Sequence, residues 1–417
     1  MDNIKAGAGK ARIFMPEGLF PLEGYIKEET PIHARALLLD NGQRTAVLSL
    51  ELPSVRNTDD MAAIKQWVFE ETGAWGDGIW ICTTHNLCTI HIPSQKEEPR
   101  KHQMFMESLS RAVRQALRSA VKHLQPVQIG MGTGTCDINT SRDIWSRQGW
   151  WNGLGGESRE DKLLTVLRFE SLSGKPVALL YHYPVKCCTV QSAFYPDGSR
   201  VSSSELAGRS STLLEADFDG VALFFMGAAA DMVPKQCAVY SKTNGEGNLV
   251  DVNLGVAAGL EFKNRLGDIL AQRVWEIAGN IVCRTDVKLC RSHKVFFYPG
   301  QQFYNGGRPY HPTPDYRYVP SGREELSVNI LVLGKTVFFG LMPETTAVTG
   351  IELRERAKGF HALLVSLVNG GKDYMADSLS YDRCTFSGTH SVFAKGCAEQ
   401  FVNDAAGILE GMGNSSA

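Results

Sequence analysis

The chain alternates between two spacings of apolar residues. Short runs rich in β-branched and aliphatic side chains recur at residues 34–39, 45–50, 78–82, 163–169, 177–181, 221–226, 326–333 and 337–341. They are bounded by turn residues such as Asp40-Asn41-Gly42 and Ser173-Gly174-Lys175, and they predict strands. Longer segments, at 61–70, 105–123, 205–214, 256–277, 346–358 and 394–409, space apolar residues three and four apart. These predict helices that each lay one face on a sheet. Strand and helix alternate with hairpin-like pairs between them, so the expected fold class is α/β, or mixed α+β, with a mixed sheet and covering helices. No linker, repeat or low-complexity tract interrupts the pattern, and residues 1–417 are expected to form a single domain with a frayed tail at 411–417.

Two stretches break the pattern. Residues 145–161 carry Trp145, Trp150, Trp151 and Asn152 among glycines and serines, and 298–322 carry Tyr304, Asn305, Gly306, Gly307, Tyr310, His311 and Tyr316. Both read as irregular surface loops, the first beside a pocket, which makes Trp150, Trp151 and Tyr304 candidates for binding a substrate.

Composition narrows the function classes. With 43 % hydrophobic and 21 % charged residues the chain can bury a large core, and 43 Lys and Arg against 45 Asp and Glu leave a net charge of −2. That balance removes the basic footprint that duplex nucleic acid or an anionic membrane requires, so a small-molecule substrate is the expected partner, with a homo-oligomer left open. Met1-Asp2-Asn3-Ile4-Lys5 and the Gly/Ala text after it lack the charged head and apolar run of a secretory signal. No window approaches ~18 apolar residues, so a cytoplasmic location off the membrane is expected. The ten cysteines include no Cys-x-x-Cys spacing, which fits reduced thiols, with Cys187 and Cys188 read as structural.

Candidate chemistry collects where strands end. His85 follows Ile79-Trp80-Ile81-Cys82-Thr83-Thr84, and His182 follows Pro176-Val177-Ala178-Leu179-Leu180-Tyr181. Ligand sites concentrate at such positions, and two strand-end imidazoles on neighbouring strands can share a metal such as zinc. A hydrogen-bonded structural histidine is the plainer alternative for each. Glu344 follows the strand that ends at Pro343 and opens a helix, where it reads equally as a first-turn acid favoured by the helix dipole. Ser202-Ser203-Ser204-Glu205 is likewise a cap and first-turn acid.

Taken in order, these segments resemble the catalytic domain of the neutral, non-lysosomal ceramidase family. Gly24-Tyr25, Ile32-His33-Ala34-Arg35-Ala36 and Val47-Leu48-Ser49-Leu50-Glu51 are similar to that family's early text, and they make His33, Arg35 and Glu51 candidate substrate-binding residues. Thr83-Thr84-His85, Asp137-Ile138-Asn139-Thr140-Ser141-Arg142, Tyr181-His182-Tyr183-Pro184, the segment from Phe225 to Pro234, Met342-Pro343-Glu344-Thr345 and Asp373-Tyr374-Met375 continue the likeness over nearly the whole chain. The resemblance implies a zinc ion held by His85, His182, Glu344 and Tyr374, with an open position for water or a scissile carbonyl.

The departures from the family are equally legible. Leu87 stands where the Thr-His-Thr-His motif has its second histidine, and Gly227 and its alanine neighbours leave no hydroxyl where the family has its catalytic serine. The ceramidases also end in an immunoglobulin-like domain, and this chain stops soon after the catalytic portion. The expectation is therefore hydrolysis of an amide or acyl bond in a small polar substrate by zinc-activated water. Asp231 would act as base or orienting group, and Glu205, Lys186, Arg142 and Arg209 would bind or polarise the substrate. Lys186 suits a carboxylate or other anion. A carbohydrate-directed hydrolase using Glu51, Glu205 and Asp231 as acids, and a binding relic without turnover, are the alternatives.

Overall fold

A computed structural model describes residues 4–304, 311–312 and 317–414. Its centre is an eight-stranded mixed sheet made of β1 (Lys5–Ile13), β2 (Ile32–Asp40), β3 (Arg44–Leu50), β4 (Ile79–Thr83), β5 (Gln125–Thr135), β6 (Leu163–Ser171), β7 (Pro176–Tyr183) and β8 (Val221–Met226). The spatial order is β8-β7-β6-β5-β1-β2-β3-β4. A second sheet of β9 (Leu289–Tyr304), β10 (Arg317–Leu333), β11 (Thr336–Leu341) and β12 (His361–Val365) runs in sequence order.

One connection pattern occurs three times. Two antiparallel pairings are followed by a helical crossover to a parallel neighbour: β3 to β4 through α1 (Thr58–Thr72), β7 to β8 through α3 (Glu205–Phe218), and β11 to β12 through α5 (Ala347–Arg356). Parallel neighbours need such a crossover. The strand ends that feed these crossovers therefore lie at carboxyl edges, where an open sheet leaves a crevice.

Period-two alternation divides each strand between two cores. On the outer face of the large sheet, α1 and α2 (Pro99–Lys122) cover Ala34, Ala36, Leu38, Leu48 and Ile81, while α3 and α4 (Gly255–Gly279) cover Leu164, Val166, Leu179, Tyr181, Ala222 and Phe224. On the inner face Leu37, Val47, Trp80, Phe169, Leu180 and Phe225 meet Leu331, Phe338 and Leu363 of the second sheet. The sheet curls around this inner core, so that Ser49 of β3 donates to the Phe224 carbonyl of β8 at 2.9 Å. The far face of the second sheet is closed by α5 and α6 (Cys397–Asn414) through Leu353, Phe401, Val402 and Ala405.

Two of the eight central strands are invisible to hydrophobic patterning. β1 and β5 alternate glycine because helices rest directly on their backbones. A Cβ on Gly7 would lie 2.1 Å from the Ala120 carbonyl oxygen of α2, and one on Gly130 would lie 2.3 Å from Ile281 Cγ2 just past α4. The two expected loops also differ from the fold. Asp143–Ser146 and Gly149–Asn152 pair as a hairpin. Most of 298–322 belongs to the β9–β10 hairpin, and Asn305, Gly306, Gly307, Tyr310 and Tyr316 lie outside the described residues.

The close helix contact yields a stability prediction. Gly7→Ala is expected to lower unfolding free energy by about 1–3 kcal/mol, since backbone rather than a flexible side chain opposes the new atom. Gly407→Ala, on the open face of α6, is expected to raise it by about 0.5–1 kcal/mol. Urea unfolding of both variants checks the contrast, and equal effects would contradict the packing account.

Candidate functional site

Carboxyl edges from both sheets meet at a cavity of about 350 Å³. β4 leads into His85, whose backbone adopts the left-handed region at φ 53°, an unfavourable conformation for a non-glycine residue. The His85 ring is held by its Nδ1, 2.9 Å from the Pro53 carbonyl oxygen. Because that oxygen can only accept, Nδ1 carries the hydrogen and Nε2 faces the site, 3.3 Å from Glu344 Oε1. Glu344 and Tyr374 are register partners in a parallel pair, Pro343–Thr345 with Lys372–Met375, which sets them side by side. Glu344 is thus in extended backbone ahead of α5, not in its first turn.

The chain leaving β7 brings in Lys186. Its Nζ lies 2.8 Å from Glu344 Oε2 and donates to the Tyr374 hydroxyl oxygen at 3.1 Å. Burial favours the uncharged form of Glu344, but the charges of His85 and Lys186 outweigh it and hold the carboxyl well below the usual carboxylate range. Arg142, buried, donates to Ser387 Oγ at 3.1 Å and lays its guanidinium over the rings of Phe386 and Tyr374, at 4.7 and 5.6 Å. Arg56, Asn152, Gln191, Ser192 and Tyr240 complete the polar part of the lining, while Leu87, Leu154, Cys188 and Cys237 form an apolar wall. Among the described lining residues Glu344 is the one carboxylate, beside Lys186, Arg142 and Arg56, of which Arg56 also pairs with Asp373 at 2.8 Å.

Comparison with family models finds none that matches this chain, and comparison with curated proteins finds no match. Solved structures do match. A ceramidase complexed with C2 superposes with a TM-score of 0.70 at 15 % identity, covering 98 % of this chain and 76 % of that one. A neutral ceramidase from Pseudomonas aeruginosa gives 0.68 at 15 % identity, covering 98 % and 75 %.

The fold is that of the neutral ceramidases. Against the ligand set expected from that family, His85, Glu344 and Tyr374 converge and His182 does not. Residue 182 shares the inward face of β7 with Ala178 and Leu180, and its Nε2 is 2.7 Å from the Leu364 carbonyl oxygen of the second sheet. Burial pulls its pKa down to about 3, so the ring is neutral. Gly227, one of the positions where the resemblance would have put a serine, packs on the same ring: a Cβ there would lie 2.8 Å from His182 Cε1 and Nε2, so a side chain would displace the imidazole. The place near Glu344 and Tyr374 is taken instead by the Lys186 ammonium.

The remaining predicted residues lie elsewhere. Arg35 joins Glu51 and Glu215 in a buried ion triad, with the His33 backbone N–H donating to Glu51 at 2.9 Å; this is internal structure, outside the cavity lining. Glu205 is fully buried and accepts from Thr189 Oγ1 at 2.6 Å and from the Val190 and Leu206 amides, so its carboxylate ties the 184–204 connection to α3. Arg209 pairs with Asp268 on the surface at 2.7 Å. Trp150 lies under the Arg383 guanidinium, Tyr304 is exposed on β9, and neither they nor Trp151 line the cavity. Arg56 and Phe386 carry no sequence signal as site residues, because the turn after β3 and a four-residue helix bring them in only by tertiary packing.

Zinc does not fit this arrangement. Among the described residues no three His, Cys, Asp or Glu side chains are grouped to hold a metal ion. A cation between Glu344 and Tyr374 would stand within about 4 Å of the Lys186 ammonium, where repulsion between unit charges is of the order of 4 kcal/mol near a protein surface and doubles for a divalent ion.

No helix among the described residues is long and apolar enough to cross a membrane, and none of the ten cysteines forms a disulfide.

Asp231 lines a neighbouring cavity with Asp143, Asp377 and Glu399, and its Oδ1 accepts from the Ala347 amide at the start of α5 at 2.8 Å. Burial first, and then the charge of Asp143, push its pKa up to about 8; burial likewise pushes Asp143 up to about 6. The folded chain therefore holds protons that the unfolded chain releases near the ordinary carboxylate value, so stability declines as pH rises through this window towards 8. Asp231→Asn keeps the acceptor for Ala347 and removes the titration. Its melting temperature is expected to vary less than the wild type's between about pH 5 and pH 8, and superimposable pH profiles would contradict the assignment.

Proposed function

We propose that this chain is a hydrolase that cleaves an amide or ester bond in a small polar substrate bearing an anionic group. The observation that carries the reading is the Glu344–Lys186–Tyr374 cluster at a cavity whose other charged lining residues are Arg142 and Arg56. An anionic substrate neutralises the surplus positive charge of such a cavity, and Arg142 offers the planar donor geometry that a carboxylate accepts. The shared fold with ceramidases supports hydrolysis as the reaction class, at the level of analogy.

Each residue has a role that its contacts allow. Tyr374 accepts from Lys186 and keeps its own O–H to donate to an acyl oxygen as that oxygen gains charge in the transition state. Lys186 and Arg142 add electrostatic stabilisation beside it. Glu344, acceptor-only, pairs with Lys186 and with the Nε2–H of His85; His85 passes that proton to the leaving group, and the imidazole so vacated takes up the proton released by the attacking water. The carbohydrate reading has less support, because cleavage between two sugars calls for a pair of carboxylates and Glu344 is alone in this lining.

The test is a turnover screen with N-acyl amino acids, their uncharged amides, and the matching esters, following release of free amine or alcohol. Anionic members are expected to be preferred. Tyr374→Phe and His85→Gln are expected to lower kcat by about 10²–10⁴-fold. Arg142→Gln is expected to raise KM for anionic substrates more than for neutral ones. Saturable binding of anionic members without release of product would overturn the hydrolase reading and leave a binding protein.

A further inference from the structure

We propose that Lys186 is the resident cation of this site: its tethered ammonium fills the place that a metal ion would take among His85, Glu344 and Tyr374, and it keeps divalent metals out. The inference does not rest on the hydrolase reading, because metal and not turnover is what it concerns.

Three observations point the same way. The ammonium is within ion-pair or hydrogen-bond distance of two of the three oxygen and nitrogen donors that converge here, 2.8 Å from Glu344 and 3.1 Å from Tyr374, while Glu344 reaches the third, His85, at 3.3 Å with its other oxygen. The lysine side chain is only 3 % exposed, so it is enclosed and not a passing surface group. Its Nζ also stands 5.0 Å from the centre of the Tyr374 ring, a further attraction for a cation at this spot. A buried carboxylate needs a positive partner, and here the chain itself provides one covalently.

The backbone explains how a lysine reaches this place. β7 turns its histidine, His182, inward to the second sheet, where Leu364 holds it. The chain then leaves the sheet through Pro184, and the Lys186 amide donates to the Met232 carbonyl at 3.2 Å, which fixes the point from which the side chain departs. From that point the Lys186 side chain meets Glu344 at 2.8 Å. A histidine there would present a donor to a metal, whereas lysine presents a positive charge. The consequence is that one substitution separates an ammonium-filled site from a metal site on an unchanged framework of His85, Glu344 and Tyr374.

The experiment is a zinc titration of full-length protein, followed by metal analysis after dialysis and by cobalt(II) absorption, for the wild type, Lys186→His and Lys186→Met. Circular dichroism confirms folding of each. The wild type is expected to retain no stoichiometric metal and to show no tetrahedral cobalt bands. Lys186→His, which restores a third nitrogen or carboxylate ligand, is expected to retain about one zinc per chain and to bind it at least about 100-fold more tightly than the wild type, with the gain lost on adding Glu344→Gln. Lys186→Met, which clears the charge without adding a donor, is expected to fall between them. If the histidine variant does not fold, the methionine variant and the wild type still decide the question. Stoichiometric zinc in the wild type that Glu344→Gln abolishes would overturn the proposal, and so would folded variants that bind zinc no better than the wild type. Absence of turnover by the wild type in the substrate screen, with these metal results intact, would overturn only the hydrolase reading.

Discussion

The ion pair between Lys186 and Glu344 is the constraint on which the site depends. A carboxylate as buried as Glu344 is costly unless a positive charge stands beside it, and Lys186 meets it at 2.8 Å while also donating to Tyr374. Around that pair the cavity takes its character: His85 is oriented, Tyr374 is left with its own proton to give, and the surrounding charge is positive. The chemistry follows from where three strand ends happen to meet.

That meeting is produced by the curl of the large sheet. Because β8 comes round to touch β3, and because Phe225, Trp80 and Phe338 pack together in the inner core, the carboxyl edges of β4 and β7 are drawn towards the chain that leaves β11. The site residues are thus positioned by apolar packing some distance behind them, and by backbone pairing such as that which sets Glu344 beside Tyr374. The glycines of β1 and β5 serve the same end, since they let α2 and α4 close on the sheet without spreading it.

Much of this architecture is legible in the sequence, and the failures have definite causes. The apolar runs at β2, β3, β4, β6, β7 and β8 and the helical spacing of α1 to α6 announce themselves because their side chains do the packing. β1 and β5 are silent because there the backbone does it. Of the residues that the strand-end rule and the resemblance to the ceramidases single out, the fold brings His85, Glu344 and Tyr374 to one cavity. The same rule misleads at His182, because position along a strand does not reveal which face a side chain takes. Period-two parity with Ala178 and Leu180 holds the information that decides it, since both are core residues of the inner face. Glu51, Glu205 and Arg35 look like chemistry and are internal ion pairs and hydrogen bonds, a distinction that depends on partners such as Glu215, 180 residues away from Arg35.

The most direct measurement is a crystal structure grown in the presence of zinc, with diffraction recorded on both sides of the zinc absorption edge. The account predicts no anomalous scattering among His85, Glu344 and Tyr374, with the Lys186 nitrogen within about 3 Å of both the carboxylate and the phenol oxygen. An anomalous peak bound by those three residues, with Lys186 swung away from them, would contradict it.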